Sequence, residues 1–555
     1  MPLLVCAYVL AVSQGSRGSA SAQSEPGALL DALRLGERTG GFEPVLHDGD
    51  DFGTSVTRLG DLDGDGIAEL AVGAPGGDQG GLDRGVVWIL FRDASGRVRR
   101  TVRIGSGSAG FAGQLDDSDR FGHAVTGIGD LDGDGVPDLA VGAPGDDDGG
   151  SVIFPDPSVG AVWILFMQRE GRVDRHVKLS STSGGMTSPL NELDAFGSSL
   201  ASMGDFDGDG ELDLAVGAPG DNDAGINAGA IWILSLGADG TTTGQTKIPV
   251  GGASTGIGQS VAYLGDLNGD AVGDLAVAGS LIDQLTGELS GYVILIFMQL
   301  DGQVLSLFEL QAPVGTTDDF GSSVAAIGDV DEDGVVDLAI GAALDDNGGQ
   351  DAGAVYIARM LPAGFVKGYT LIDATNARLA PHLPSGDSKL GLCVAALGDE
   401  NGDGVPDLLA GAPGENGLGD DRGAVWSLSL GNGKWANLGS GLEGLTGTPK
   451  LLGKGPLETG SIVGLSVDGA RPESRAYLIV GADRIDTPFF GGVLVPSPDL
   501  VRAGAETDAT GQLDYGLRWP ATISQGSTFY YQVWIQDEAA RFGYAATNAV
   551  SSTNR

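Results

Sequence analysis

The chain has 555 residues, 96 of them Gly, with a formal net charge of −44 and a hydrophobic fraction of 41%. That apolar content excludes a disordered chain, which combines low hydrophobicity with high charge. The acidity excludes nucleic acid and anionic membrane surfaces as partners, since both call for clustered Lys and Arg.

An apolar stretch from Leu3 to Val12, followed by Ser19-Ala20-Ser21-Ala22, predicts a signal peptide over residues 1–22 cleaved after Ala22. Cys6 would leave with it, so the mature chain would keep Cys393 alone and form no internal disulfide. No later stretch reaches ~18 uninterrupted apolar residues, and no membrane span is expected.

Three landmarks then recur in fixed order. A Phe-Gly pair stands at Phe52-Gly53, Phe121-Gly122, Phe196-Gly197 and Phe320-Gly321, with weaker copies at Ile257-Gly258 and Leu390-Gly391. An Asp-rich loop begins at Asp61, Asp130, Asp205, Asp266, Asp329 and Asp399. A Gly-Ala-Pro turn follows at Gly73, Gly142, Gly217 and Gly411, degraded at Gly341-Ala342-Ala343 and Ala278-Gly279-Ser280. Each unit reads as four strands, in the first unit Gly53–Leu59, Leu70–Ala74, Gly85–Phe91 and Arg97–Ile104. A seventh, faded unit keeps Leu478–Ala482 and Gly491–Val495 without an Asp loop. Four-stranded units repeated about an axis predict an all-β protein, a seven-bladed β-propeller over residues 27–498.

Leu33–Gly53 aligns without gaps on Val102–Gly122, so the segment before the first Phe-Gly is itself a fourth strand. The seventh unit shows no fourth strand after Val495, and residues near Ala32–Leu35 are expected to complete that last blade and close the ring. Residues 499–555 form a separate, small β-rich segment with strands at Tyr515–Trp519 and Thr528–Gln536, too short to bury much core alone.

The Asp loops carry the chemistry. Oxygen-bearing side chains at positions 1, 3, 5 and 9, with a backbone carbonyl at position 7, can wrap one calcium ion, which takes six to eight oxygens in an irregular cage. Gly at position 6 permits the sharp turn, as in an EF-hand, but position 12 is Val141 in a strand, where an EF-hand needs Glu. The candidate ligands of the first loop are Asp61, Asp63, Asp65, Ile67 and Glu69, and of the second Asp130, Asp132, Asp134, Val136 and Asp138. The third offers Asp205, Asp207, Asp209, Glu211 and Asp213, and the fourth Asp266, Asn268, Asp270, Val272 and Asp274. The fifth offers Asp329, Asp331, Asp333, Val335 and Asp337, and the sixth Asp399, Asn401, Asp403, Val405 and Asp407. A lone Asp-Gly turn needs no metal; six loops in register point to Ca2+ at up to six sites. The fourth loop, with Asn268 and with Ala271 in place of Gly, is expected to bind most weakly. Zinc is poorly matched, since the chain has only four His.

Phe-Gly, D-x-D-x-D-G-x-x-D and Gly-Ala-Pro together resemble the FG-GAP repeat of integrin α chains and of bacterial secreted proteins, over most of the chain. The resemblance implies a seven-bladed propeller with calcium in hairpin loops on one face and adhesive ligand binding at the other. No inserted ligand-binding domain, leg-like domains or anchor is evident, which argues against integrin-type pairing.

Cys393 aligns with Ser55, Ala124, Ser199, Ser260 and Ser323 on first strands, which reads as packing. His123 shares the register of Thr54, Ser198 and Gln259 and reads as structural. Trp88, Trp163, Trp232 and Trp426 share one repeat position and read as packing between blades, a carbohydrate platform being the minor alternative. No phosphate loop, dinucleotide fingerprint or catalytic constellation stands out from repeated positions. The expected function is a non-catalytic, calcium-binding adhesion scaffold, secreted, periplasmic or at the cell surface. It would be monomeric, with an extracellular protein or glycan as ligand. The alternatives are a hydrolase or lyase using the propeller face, and a structural envelope component.

Overall fold

The computed structural model describes residues 26–553 except 149–157, 251–254, 283–288, 301, 314–318, 381–382, 384–385, 417–418, 433–434, 440, 443–447, 455–456, 458–461, 490–491, 520–526, 539 and 541–542. The signal-peptide reading, Cys6 and Gly491 lie outside these residues. The chain divides into two compact units, one of Leu29–Asn432 and one containing Gly433–Arg555.

The first unit is a β-propeller. After β1 (Pro26–Gly36), blade one is β2 (Ser55–Gly60), β3 (Glu69–Ala74), β4 (Val86–Arg92) and β5 (Val98–Ile104). Blade two is β6 (Ala124–Gly129), β7 (Asp138–Ala143), β8 (Ala161–Met167) and β9 (Val173–Leu179). Blade three is β10 (Ser199–Gly204), β11 (Leu212–Ala218), β12 (Ala230–Leu236) and β13 (Thr242–Ile248). Blade four is β14 (Ser260–Gly265), β15 (Asp274–Ile282), β16 (Leu289–Met298) and β17 (Val304–Leu310). Blade five is β18 (Phe320–Gly328), β19 (Asp337–Ala342), β20 (Ala354–Met360) and β21 (Val366–Asp373). Blade six is β22 (Cys393–Gly398), β23 (Asp407–Ala412) and β24 (Ala424–Asn432), completed by β1.

The repeat landmarks are the seams between blades. A Cβ added at Gly73 of the first Gly-Ala-Pro would stand 1.8 Å from the carbonyl oxygen of Gly122, the Phe-Gly glycine of the next blade. Gly142 meets Gly197 in the same way, Gly217 meets Gly258, and Gly341 meets Gly391. Both glycines are therefore needed at these seams, while between blades four and five Ala278 holds the second-strand place. The series ends with Gly411 against Gly53, from blade six back to blade one. Parallel bridges trace the same path, from Gly85↔Phe121 to Phe52↔Gly423. The Phe of each intact pair is buried between blades, and Leu-Ala-Val runs such as those of β3 and β7 are buried on both faces.

The ring thus closes at six blades among the described residues, which corrects the expected seven. The N-terminal strand does close the ring, but on β24 of the sixth blade. The faded seventh unit lacks both the Phe-Gly and the Asp loop that make a seam and a hairpin. Its Leu478–Gly481 run instead lies in strand Arg475–Gly481, flanked by Thr528–Gln536 and Leu500–Glu506 in another sheet, and Gly492–Pro496 pairs with Arg484–Phe489. The unit boundary accordingly falls near residue 432, where 498 was expected. The strands anticipated after residue 499 draw their core from Leu451, Val463, Leu465 and Leu478 as well as Tyr515, Tyr531 and Val533, which overcomes the shortage of apolar surface in the last residues alone.

Candidate functional site

Each Asp loop is the hairpin between the first and second strand of a blade, so all six lie at the same end of the strands. In the first loop Asp61 folds the turn over itself: its Oδ1 accepts the Gly64 amide at 2.7 Å and its Oδ2 accepts the Gly66 amide at 2.8 Å. Asp130, Asp266, Asp329 and Asp399 do the same to their position-6 amides at 2.7–2.8 Å. Position 6 is left-handed throughout, with φ of 88° at Gly66, 84° at Gly135 and 68° at Ala271. The turn demanded of the fourth loop is therefore one that a Cβ resists. Sequence reading passed over a second such place: position 4 is Gly in five loops but Glu332 in the fifth, with φ 62°.

Position 9 opens the second strand and points inward. Glu69, Asp138, Asp213, Asp274, Asp337 and Asp407 are all buried, and each accepts the position-2 amide of its loop at 2.7–3.2 Å. Burial, helped by the neighbouring loop carboxylates, raises the pKa of Glu69 to about 7, Asp138, Asp274 and Asp337 to about 6, and Asp407 to about 8.

Carboxylate oxygens of Asp61, Asp63 and Glu69 lie within 4.8 Å of one another, as do those of Asp130, Asp132 and Asp138, of Asp205, Asp207 and Asp213, and of Asp329, Asp331 and Asp333. In the fourth and sixth loops Asn268 and Asn401 replace the position-3 carboxylate. Three buried oxygens of these clusters, Asp63 Oδ1, Glu69 Oε1 and Asp331 Oδ1, have no hydrogen-bond partner. All-oxygen donors with buried lone pairs left open suit a hard divalent cation such as calcium, and the residues fit that ion. At position 7, the amides of Ile67, Val136, Glu211, Val272, Val335 and Val405 bond the position-5 carboxylate of their own loop.

Two basic residues not anticipated at the site each reach two of its carboxylates, while Arg175 touches Asp132 alone at 3.1 Å. Arg99 Nη2 lies 2.6 Å from both Asp63 and Asp65, and Lys367 Nζ lies 2.6 Å from Asp331 and 3.2 Å from Asp333. Both stand second in a fourth strand, a place with no recurrent basic residue to draw attention to it.

The propeller axis is a cavity of about 670 Å³ lined mainly by first-strand residues, among them Arg58, Tyr263 and Cys393, with His123 just ahead of β6. Cys393 Sγ accepts the Val56 amide at 3.2 Å, and burial pushes its thiol up to about 11. His123 Nδ1 is 3.2 Å from the Ser198 carbonyl oxygen. At the end of the axis opposite the Asp loops, a mouth of about 260 Å³ is lined by Asp51, Asp83, Arg120 and Lys389. Asp51 is raised to about 6 by burial and by Asp421, against the pull of Lys389 and Arg120. The four repeated Trp side chains are buried, with Arg103, Lys178 and Lys247 over Trp88, Trp163 and Trp232, so none of them offers a stacking platform.

The FG-GAP repeat family matches residues 52–90, 121–165, 196–234, 320–357 and 394–428. Blade four, whose landmarks are degraded, falls outside these stretches. The chain is 30% identical over 247 residues to integrin alpha-5 of Xenopus laevis, covering 43% of this chain and 20% of that protein. It is 34% identical over 170 residues to integrin alpha-4 of Xenopus laevis, covering 30% of this chain and 14% of that protein. It is 34% identical over 171 residues to phosphatidylinositol-glycan-specific phospholipase D of Bos taurus, covering 29% of this chain and 19% of that protein. The chain spans no more than a fifth of the length of these relatives.

Proposed function

We propose that this integrin-α-like FG-GAP repeat protein is a calcium-binding, non-catalytic adhesion scaffold that acts outside the cell and binds an extracellular protein or glycan. The observation that carries the metal reading is the set of partnerless buried oxygens, Asp63 Oδ1, Glu69 Oε1 and Asp331 Oδ1, inside carboxylate clusters 4.8 Å across. Side chains at positions 1, 3, 5 and 9 of the six loops and the carbonyl at position 7 would hold the ion. Calcium supplies the positive charge that lets these carboxylates share one hairpin. The chain's own residues do the rest: position 1 folds the turn, position 9 ties it to the second strand, and the seams hold six such hairpins in one ring.

The likeness to integrin α chains supports a ligand at the other face, where the mouth gathers Asp51, Arg120 and Lys389 from three adjacent blades. No helix of the described residues is long and apolar enough to cross a membrane. The likeness to a phospholipase D spans 19% of that enzyme, and catalysis is not proposed. Binding of the full chain to an array of matrix proteins and glycans, in calcium and in EDTA, tests the reading. Retention on at least one ligand, lost in EDTA, is expected. Hydrolysis of an arrayed substrate, or no retention at all, would contradict it.

A further inference from the structure

Resting on the calcium reading, we infer that Arg99 and Lys367 are tethered counter-cations that set the metal affinity of the first and fifth loops. In blade one, Phe91 pairs with Arg100 and Arg92 with Val98, which leaves Arg99 as the extra residue of a β-bulge. In blade five, Arg359 pairs with Gly368 and Met360 with Val366, which leaves Lys367 in the same place. A bulge turns its extra residue out of the ladder. Here it directs a cation onto positions 3 and 5 of the blade's own Asp loop.

Blades two to four differ at this bulge. Blade two has Asp174, blade three Thr243 and blade four Leu305. Arg175 of the second blade reaches only Asp132, at 3.1 Å, and is otherwise held over Phe166 and against the carbonyls of Ala238 and Asp239. Thr243 donates to Glu211 of the third loop. Among the described residues no Lys or Arg touches the carboxylates of that loop.

Four carboxylates in one hairpin repel when no metal is bound, and a chain-borne charge relieves that repulsion. At position 3 the charge sits on Oδ2 and leaves the Oδ1 of Asp63 and of Asp331 open, but at position 5 it takes Oδ2 of Asp65 and of Asp333, the oxygen that the turn amide leaves over, so an ion that needs the position-5 carboxylate must displace it. Side-chain exposures of 41% for Arg99 and 42% for Lys367 give both room to swing away, Arg99 giving up the bond its Nε donates to the Arg92 carbonyl at 2.9 Å. The first and fifth loops are thereby more stable without metal and bind it less tightly than the third, which keeps four carboxylates and no competing cation.

The test uses the full chain with Arg99→Gln, Lys367→Gln and the double variant, calcium alone as probe, and Arg38→Gln on the opposite face as a charge-matched control. In EDTA the two single variants should melt below the parent and the control. On calorimetric titration the sites they alter should bind calcium about ten-fold more tightly, the scale of contacts that act through metal ligands. Arg99→Lys should restore parental behaviour. Calcium binding that is unchanged by the Gln variants, or changed equally by Arg38→Gln, would overturn the inference while leaving the calcium reading intact. No calcium binding by any form would remove both.

Discussion

The Val56 amide donates to Cys393 Sγ at 3.2 Å across the seam where the ring closes. At the seam between blades four and five the aligned Ser260 Oγ accepts the Val324 amide at 3.0 Å in the same way, whereas Ser55, Ser199 and Ser323 donate to the Gly122, Gly258 and Gly391 carbonyls at 2.7–2.8 Å. The thiol therefore does a hydroxyl's work, and burial holds its pKa near about 11. Cys393 should resist a thiol reagent at pH 8 in the native chain and react fully once unfolded. Cys393→Ser should fold with a melting temperature close to the parent's. Fast native labelling would mean that this seam opens.

The same seam holds a buried cation. The Arg92 side chain is fully buried, bonds the Ala68 carbonyl at 2.7 Å and pairs with Glu400 of blade six. Blades two, four and five carry Met167, Met298 and Met360 at this place. Arg92→Ala should cost about 3 kcal/mol, since it leaves a cavity and an unpaired carboxylate. Arg92→Met with Glu400→Gln should recover most of that in chemical denaturation. Equal losses in the two variants would contradict the account.

Ala271 holds φ 68° where five loops have Gly. Ala271→Gly should stabilise the metal-free fourth loop by about 1 kcal/mol and tighten its calcium site. Glu332→Gly should act alike on the fifth loop, whose position 4 has φ 62°. Calorimetry that finds neither site tightened would show that these turns do not limit binding.

Asp119, buried on the face opposite the Asp loops, has its pKa raised to about 7 by burial and then by Asp146, with Lys178 opposing. A carboxyl raised in the folded state favours folding while protonated. That contribution is intact below its ordinary pKa of about 4 and is lost as pH rises through about 7. Asp119→Asn keeps an acceptor for the Asp116 amide and cannot ionise. It should match the parent at pH 4 and exceed it by about 1–3 kcal/mol at pH 8. A constant difference across that range would contradict the assignment.

The sequence carries the blades because each landmark has one physical job that recurs. Gly73 and Gly122 must be glycine for two backbones to touch, and Asp61 must accept the amides of its own turn. The N-terminal strand was legible for the same reason: Phe42 packs 5.0 Å from Phe52 as Phe111 does from Phe121, inside the gap-free match. The blade count was not, because Leu478–Ala482 keeps the apolar pattern of a second strand, and such a pattern also serves a central strand of another sheet. Arg99 and Lys367 escaped notice because their role depends on a bulge, which leaves no fixed residue signature. Glu332 was hidden by its helpful charge, its cost lying in the backbone.

The most direct measurement is the melting temperature of the full chain in EDTA and in saturating calcium, with Asp134→Ala alongside. Each occupied loop adds about 2.7 kcal/mol at 100 times its dissociation constant. The account predicts a large upward shift in calcium and a smaller one for Asp134→Ala, with one fewer ion bound by calorimetry. Superimposable melts in EDTA and calcium would contradict it.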